Sequence, residues 1–173
     1  FSTSEEKFLT ERALQLGAAS HKNIDATQRY YEQGVKYLIF GKVLKNSTYP
    51  LSVSSERAFQ AISVLEYAKE MKADSVAHGS TGAGNDQIRF DLVFEVMAPE
   101  MKIIAPIREL KLSRMEEIEY LRKAGFVFSW EKSMYSINQG LWGTSVGGVE
   151  TLSSSGVLPE EAYPSQVVDH DPV

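Results

Sequence analysis

Ser75-Val76-Ala77-His78-Gly79-Ser80-Thr81-Gly82-Ala83-Gly84-Asn85-Asp86-Gln87-Ile88-Arg89-Phe90 passes from a short apolar run, through three glycines, into a polar helix start. Ser75–Ala77 suits a buried parallel strand, while the helix that follows is apolar nearly all round through Met97 apart from Asp91 and Glu95, which predicts that it is largely buried. Downstream, Lys102 to Ile107 is the next strand candidate, and Ser113 with Glu116 has the spacing of a capping box for a helix that Gly125 ends. Strand, helix, strand, helix is the rhythm of an α/β domain with a parallel sheet, in which ligands gather at the carboxyl ends of the strands.

Upstream, Ser2 with Glu5 and Thr3 with Glu6 both have capping-box spacing, Phe8, Leu9, Ala13 and Leu16 fall at helical intervals, and Gly17 stands where a left-handed C-terminal cap belongs. A chain that opens with Phe1 within one residue of a capping signal reads as a trimmed piece of a longer polypeptide. Lys22 to Ile24 could form a strand. Asp25 with Gln28 opens a second helix striped by Tyr31, Val35, Leu38 and Ile39 and expected to end near Lys45. Asn46 to Pro50 is rich in turn formers and reads as a loop. Ser52, Ser54 and Ser55 offer N-caps for a long helix through Lys72, with Ala58, Ala61, Ile62, Leu65 and Ala68 on one face. After about Trp130 the character changes: Gly140, Gly143, Gly147, Gly148 and Ser153-Ser154-Ser155-Gly156 suggest irregular chain and a second domain.

Composition narrows the chemistry. The 173 residues suit one substantial domain, and 43% hydrophobic with 24% charged residues is the make-up of an ordinary globular protein. A net charge of −5 without basic runs lacks the footprint of a nucleic-acid or anionic-lipid partner. The absence of cysteine excludes disulfides, zinc–thiolate sites, iron–sulfur clusters and thiol nucleophiles. His21, His78 and His170 are far apart in sequence, so no local metal pair is expected. No apolar stretch is long enough to cross a bilayer and no signal peptide is visible, which makes the cytoplasm the simplest address.

The glycine loop is the strongest chemical signal, because such a turn frees backbone N–H groups to face an anion beside a helix start. Gly79 to Gly84 mimics a Walker A spacing, but Asn85-Asp86 stands where Lys-Ser/Thr would contact phosphates and magnesium, and Gln87 breaks a GxGxxG pattern. By spacing alone, a ligand loop and a tight ligand-free connection are evenly balanced. Asn85, Asp86 and Arg89 crowd the first helical turn. Arg89 suits a carboxylate, Asp86 an ammonium group and Asn85 either role, a set that fits an α-amino acid. The bland alternative makes Asn85 and Asp86 caps and Arg89 a solvated surface cation. From residue type alone, Tyr49 and Ser54 read as turn and cap residues, Ser136 and Ser145 as turn residues, and Trp130 and Trp142 as buried anchors.

His78 through Phe90 closely resembles the signature of the argininosuccinate synthase family. Tyr49-Pro50-Leu51-Ser52-Val53-Ser54 is similar to that family's substrate loop, and Tyr135-Ser136-Ile137-Asn138-Gln139-Gly140-Leu141-Trp142-Gly143-Thr144-Ser145 to its second substrate segment. The resemblance covers essentially the whole chain. It implies a ligase of arginine biosynthesis that joins citrulline to aspartate and splits ATP into AMP and pyrophosphate, with magnesium assisting and catalysis mainly by positioning, so that no single catalytic residue is assigned. Carried across position by position, Tyr49, Ser54, Asn85, Arg89, Ser136 and Ser145 would contact citrulline, Thr81, Asn85 and Asp86 would hold aspartate, and Gly79, Ser80, Thr81, Gly82 and Gly84 would lie against ATP. No metal-ligating residue is assigned.

The implied fold is a parallel-sheet ATP-pyrophosphatase domain of the adenine nucleotide alpha hydrolase type, lacking its first strands, over residues 1–128, and the start of an α+β synthetase domain over 129–173. The family's SGGxDTS pyrophosphate loop would precede Phe1, so strands near Ile24, Val76 and Ile104 are not expected to form a continuous sheet. Ala83 stands where the family often has lysine, which removes a cation from the phosphates. A homotetramer of the full-length protein is implied, and the isolated chain is expected to be inactive. The alternatives are another adenylating ATP pyrophosphatase with a different substrate, and a non-catalytic scaffold homologue.

Overall fold

The computed structural model describes residues 3–47, 49–82, 84–126 and 135–165. Phe1, Ser2, Ala83, Trp130 and His170, all singled out above, lie outside the described residues. In chain order the elements are helices α1 (Thr3–Gln15) and α2 (Thr27–Tyr30), a π-helical turn (Tyr31–Val35), α3 (Lys36–Phe40), strands β1 (Leu44–Lys45) and β2 (Tyr49–Pro50), α4 (Ser52–Glu70), β3 (Ser75–Ala77), α5 (Asp86–Met97), β4 (Lys102–Ile104), α6 (Pro106–Leu110), α7 (Arg114–Lys123), β5 (Ser136–Gly140) and β6 (Gly143–Gly147). Two 3-10 turns, Val149–Leu152 and Glu160–Ala162, follow. The chain forms two compact units, Phe1–Tyr30 with Arg57–Val127, and Tyr31–Glu56 with Phe128–Val173.

In the first unit, β3 and β4 pair in parallel with Val76 opposite Ile103. Lys102 N–H to Asp74 O (3.1 Å) and His78 N–H to Ile104 O (3.1 Å) extend the ladder at both ends. Ala61, Leu65 and Ala68 of α4, Val76 of β3 and Phe94 of α5 form the core together with Ala98 and Met101, and Phe90, Val93 and Ile103 pack against it. The α4 face expected from the sequence is thus the one that is buried. Helix ends follow local chemistry. α1 closes with Gly17 left-handed (φ +90°), Ala18 N–H to Ala13 O (3.1 Å) and Gly17 N–H to Leu14 O (3.0 Å). α7 opens with the Ser113–Glu116 capping box and closes the same way at Gly125 (φ +86°). Asp25 caps α2 by accepting Thr27 N–H at 2.9 Å.

Three expectations for this unit are corrected. Lys22 to Ile24 is not a strand; β3 and β4 form a two-stranded sheet with no third partner among the described residues. The strand expected to reach Ile107 stops at Ile104, because Pro106 removes a ladder donor and instead starts α6 at its first turn. α5 is not largely buried: Ile88, Leu92 and Val96, spaced four apart on one face, are 62%, 60% and 71% exposed, since only the Phe90–Val93–Phe94 face meets the core. The α1 stripe is likewise uncovered, with Phe8, Leu9 and Leu16 exposed.

In the second unit, α3 stops at Phe40 rather than near Lys45, because Lys42 turns left-handed (φ +46°) and Val43 N–H closes onto Leu38 O at 2.9 Å. Lys45 therefore lies in β1, and the expected loop is divided: Asn46 and Ser47, both left-handed, lie in the turn of a small antiparallel hairpin, while Tyr49 and Pro50 form its second strand, with Tyr49 opposite Lys45. The stretch expected to be irregular contains a second hairpin, β5–β6, joined by Leu141 and Trp142 with Gly143 at φ +107°. Its strands, Ser-Ile-Asn-Gln-Gly and Gly-Thr-Ser-Val-Gly, carry few β-branched or aromatic side chains, so their pattern hides the pairing. Trp142 is 55% exposed rather than buried, lining a shallow groove with Leu38, Ile39, Val43, Leu44 and Leu51.

Candidate functional site

The candidate site residues fall into two groups, one in each unit. In the first unit the glycine loop leaves the carboxyl end of β3. Backbone strain does not explain its glycines: Gly79, Gly82 and Gly84 all avoid the left-handed region, and a Cβ added at Gly79 would meet nothing within 4 Å. One at Gly82 or Gly84 would make an ordinary contact at 3.7 Å, with Arg108 Cγ and Thr81 Oγ1 respectively. The tight-connection alternative needs glycine for the turn itself, and the geometry supplies no such need.

A hydrogen-bonded frame holds the loop. His78 Nδ1 accepts the Ser80 N–H at 3.2 Å, and His78 Nε2 meets Asp91 Oδ1 at 2.9 Å. The other oxygen of Asp91 accepts from Arg108 Nη1, which also donates to Gln87 Oε1 at 3.3 Å. Gln87 Nε2 donates to Gly82 O at 2.6 Å, and the His78 ring stacks on Phe90 with centroids 5.6 Å apart. Burial pushes the Asp91 carboxyl up, but the bonds from Arg108 and then His78 together outweigh it and hold the group below its ordinary value.

At the start of α5, Asp86 sits between two guanidinium groups. Arg89 Nη1 donates to Asp86 Oδ1 at 2.5 Å, and Arg57 Nε donates to Asp86 Oδ2 at 3.3 Å. Arg57 also donates to Gln60 Oε1 at 3.0 Å. Arg89 is therefore not simply solvated: its carboxylate partner in this structure is Asp86. Asn85 occupies the N-cap position with helical dihedrals and no side-chain cap bond, and its residue is exposed. The capping alternative fails for Asn85, whose amide makes no bond to the helix start. Thr81 is exposed on the same loop.

In the second unit, half-buried Tyr49 opens β2 of the small hairpin, and Ser54 lies in the first turn of α4, where its hydroxyl donates to Leu51 O at 3.0 Å instead of capping the helix. Ser136 and Ser145 are strand residues, not turn residues: Ser136 opens β5 opposite Gly147, and Ser145 stands in β6 opposite Asn138. Glu56 joins the two segments, its Oε2 accepting Leu141 N–H from the hairpin tip at 3.0 Å. A Cβ at Gly140 would lie 2.6 Å from that oxygen, so glycine is what lets the carboxylate approach.

Sequence reasoning missed Arg57, Glu56, Arg108 and the role of His78. No local signal marks Arg57, 29 positions from Asp86, or Glu56, 85 from Leu141. His78 flanked the glycine motif and was legible as a candidate, though its partner Asp91 was read as an interruption in an apolar helix. Among the described residues, no three His, Asp or Glu side chains converge as a metal site, and no helix is long and apolar enough to cross a membrane.

A family model described as the arginosuccinate synthase N-terminal HUP domain matches residues 2–127. The argininosuccinate synthase of Methanocaldococcus jannaschii is 44% identical over 162 residues, covering 92% of this chain and 40% of that protein. That of Pyrobaculum aerophilum is 38% identical over 168 residues, covering 95% of this chain and 42% of that protein. That of Lactococcus lactis is 34% identical over 157 residues, covering 90% and 39%. The chain thus spans about 40% of the length of the curated relatives it matches.

Proposed function

Because the chain belongs to the argininosuccinate synthase family, we propose that the protein containing it is an AMP-forming carbon–nitrogen ligase that joins citrulline and aspartate. The citrulline ureido oxygen attacks the α-phosphorus of ATP as the bond to pyrophosphate breaks. The aspartate amine then attacks the carbon of that activated ureido group and gives up a proton, and AMP leaves with the former ureido oxygen. Neither step needs a covalent bond to the protein, so the chain's task is to hold three substrates in line and to meet charge where it develops.

The observation that carries this reading is the glycine loop. Its fold does not demand glycine at position 79, so the absent side chain is best explained by close approach of a ligand to the backbone. That space supports the placement of ATP at Gly79, and the family resemblance assigns Ser80, Thr81, Gly82 and Gly84 to ATP with it. Asp86 bracketed by Arg57 and Arg89 is complementary to a zwitterion, because an incoming ammonium can replace a guanidinium at Asp86 while the released guanidinium takes the carboxylate. Thr81, Asn85 and Asp86 are assigned to aspartate, and Asn85 and Arg89 to citrulline together with Tyr49, Ser54, Ser136 and Ser145. Magnesium does not fit these carboxylates: the oxygens of Asp86 and Asp91 already accept hydrogen bonds from arginine or histidine. In this reading it enters with the ATP phosphates as part of the substrate.

Residues 1–128 would then be the later part of an ATP-pyrophosphatase domain whose first strands and pyrophosphate loop lie elsewhere in the protein, and 129–173 would open a synthetase domain. A cytoplasmic homotetramer completes the proposal. The test is pyrophosphate release by the full-length protein with citrulline, aspartate or both. Release that requires citrulline, and argininosuccinate only when aspartate is added, supports the reading. AMP formation indifferent to citrulline would assign a different adenylating enzyme, and citrulline binding without turnover a scaffold.

A further inference from the structure

We propose that His78 is a positioning residue that sets the shape of the glycine loop by acting as a neutral, Nε2-protonated imidazole wedged between the Ser80 amide and the Asp91 carboxylate. The tautomer follows from the partners. A backbone N–H can only donate, so Nδ1, which receives it from Ser80 at 3.2 Å, carries no proton. The ring proton therefore sits on Nε2, which faces Asp91 Oδ1 at 2.9 Å. Asp91 is fixed in turn by Arg108 on α6, and the imidazole is clamped from one side by Phe90. The His78 side chain is only 7% exposed, so solvent does not substitute for either bond.

The consequence is a second anchor for the loop besides the strand. Ser80 N–H is turned inward onto the ring, while Gly82 O is held by Gln87, itself bonded to the same Arg108. Two points of the loop, Ser80 and Gly82, are therefore tied to one side-chain frame on α5 and α6, and the free backbone between them is presented in one conformation. Protonation of Nδ1 or a flip of the ring would set two donors against each other at Ser80 and release the loop.

The kinetic part of the test rests on the ligase proposal; the spectroscopic part does not. The full-length protein is compared with His78→Asn and His78→Gln. The asparagine oxygen lies one bond beyond Cγ, as Nδ1 does, and can still accept from Ser80. The glutamine amide lies two bonds beyond, as Nε2 does, and can still donate to Asp91 but not accept from Ser80. His78→Gln is expected to raise the KM for ATP about tenfold above that of His78→Asn, the worth of one buried hydrogen bond, with the KM for citrulline and the urea midpoint alike in the two variants. In the unmodified protein, long-range proton–nitrogen correlation should find Nδ1 bare and Nε2 protonated, and Ser80 N–H should exchange slowly with solvent. Equal ATP KM values for the two variants, a proton on Nδ1, or rapid exchange at Ser80 would overturn the assignment. Should turnover prove indifferent to citrulline, the ligase proposal falls while the nitrogen spectrum and Ser80 exchange still decide the role of His78.

Discussion

Gly79→Ala separates the demands of folding from those of ligand binding. Gly79 is not left-handed, and the added Cβ meets nothing within 4 Å, so alanine fits the native backbone without strain or clash. Replacing glycine under those conditions stabilises a protein by about 0.4–1 kcal/mol, because the unfolded chain loses freedom that the folded state does not use. If ATP lies against the loop backbone, the same methyl group occupies the space the phosphates need. A loss of about 1.4 kcal/mol in binding corresponds to a tenfold rise in the KM for ATP. The assay pairs urea unfolding of the full-length protein with pyrophosphate release as ATP is varied at saturating citrulline and aspartate. The expected pattern is a midpoint unchanged or raised, with ATP affinity at least tenfold weaker. An equally stable variant that binds ATP as well as its parent would refute the argument, because close approach would no longer account for the glycine.

Gly140→Ala should act in the opposite sense on the fold: its Cβ, 2.6 Å from Glu56 Oε2, must displace that side chain and break its bond to Leu141 N–H, costing about 0.5–1.5 kcal/mol in urea unfolding. Arg89→Ala should raise the KM for citrulline or abolish turnover, and unchanged kinetics would remove Arg89 from the site. Asp91, held by Arg108 and His78 below the ordinary carboxylate value of 3.8, contributes stability that is fully present above that value and is lost as pH falls through the lower folded one. Acid unfolding followed by circular dichroism should therefore be less steep below about pH 4 in Asp91→Asn than in the parent. Ser113→Ala removes the side-chain half of the α7 capping box and should cost about 1 kcal/mol, read from the urea midpoint.

The legible parts of the fold are those decided within one or two turns. Ser113 and Glu116 sit three residues apart, and Gly17 and Gly125 provide left-handed closures that other residues adopt only with strain. The misread parts fail for related reasons. Gly41 stands at the C-cap of α3 but keeps helical dihedrals, and the left-handed turn falls on Lys42, so the amphipathic stripe carried the expectation past the true helix end to Lys45. The β5–β6 strands are held by pairing along their whole length, from Ser136–Gly147 to Gly140–Gly143, rather than by β-forming side chains. In α5 the apolar pattern was read as burial all round, yet burial depends on what lies opposite, and only one face meets the core.

For the site, residue types alone determined that a glycine loop followed by Asn85, Asp86 and Arg89 could serve an anion and an amino acid, because donor, acceptor and charge belong to the side chains wherever they fold. Resemblance of three ordered motifs to one family was equally legible without coordinates. Only the tertiary structure decided how those groups are engaged: Asp86 takes Arg57 from α4 as well as Arg89, and Asp91 joins His78 to Arg108 across 13 and 17 positions of sequence. Glu56 reaches Leu141 across 85 positions. Hydrogen bonds act over about 3 Å of space whatever the distance along the chain, so these partners are set by how helices and strands pack and not by any spacing in the sequence.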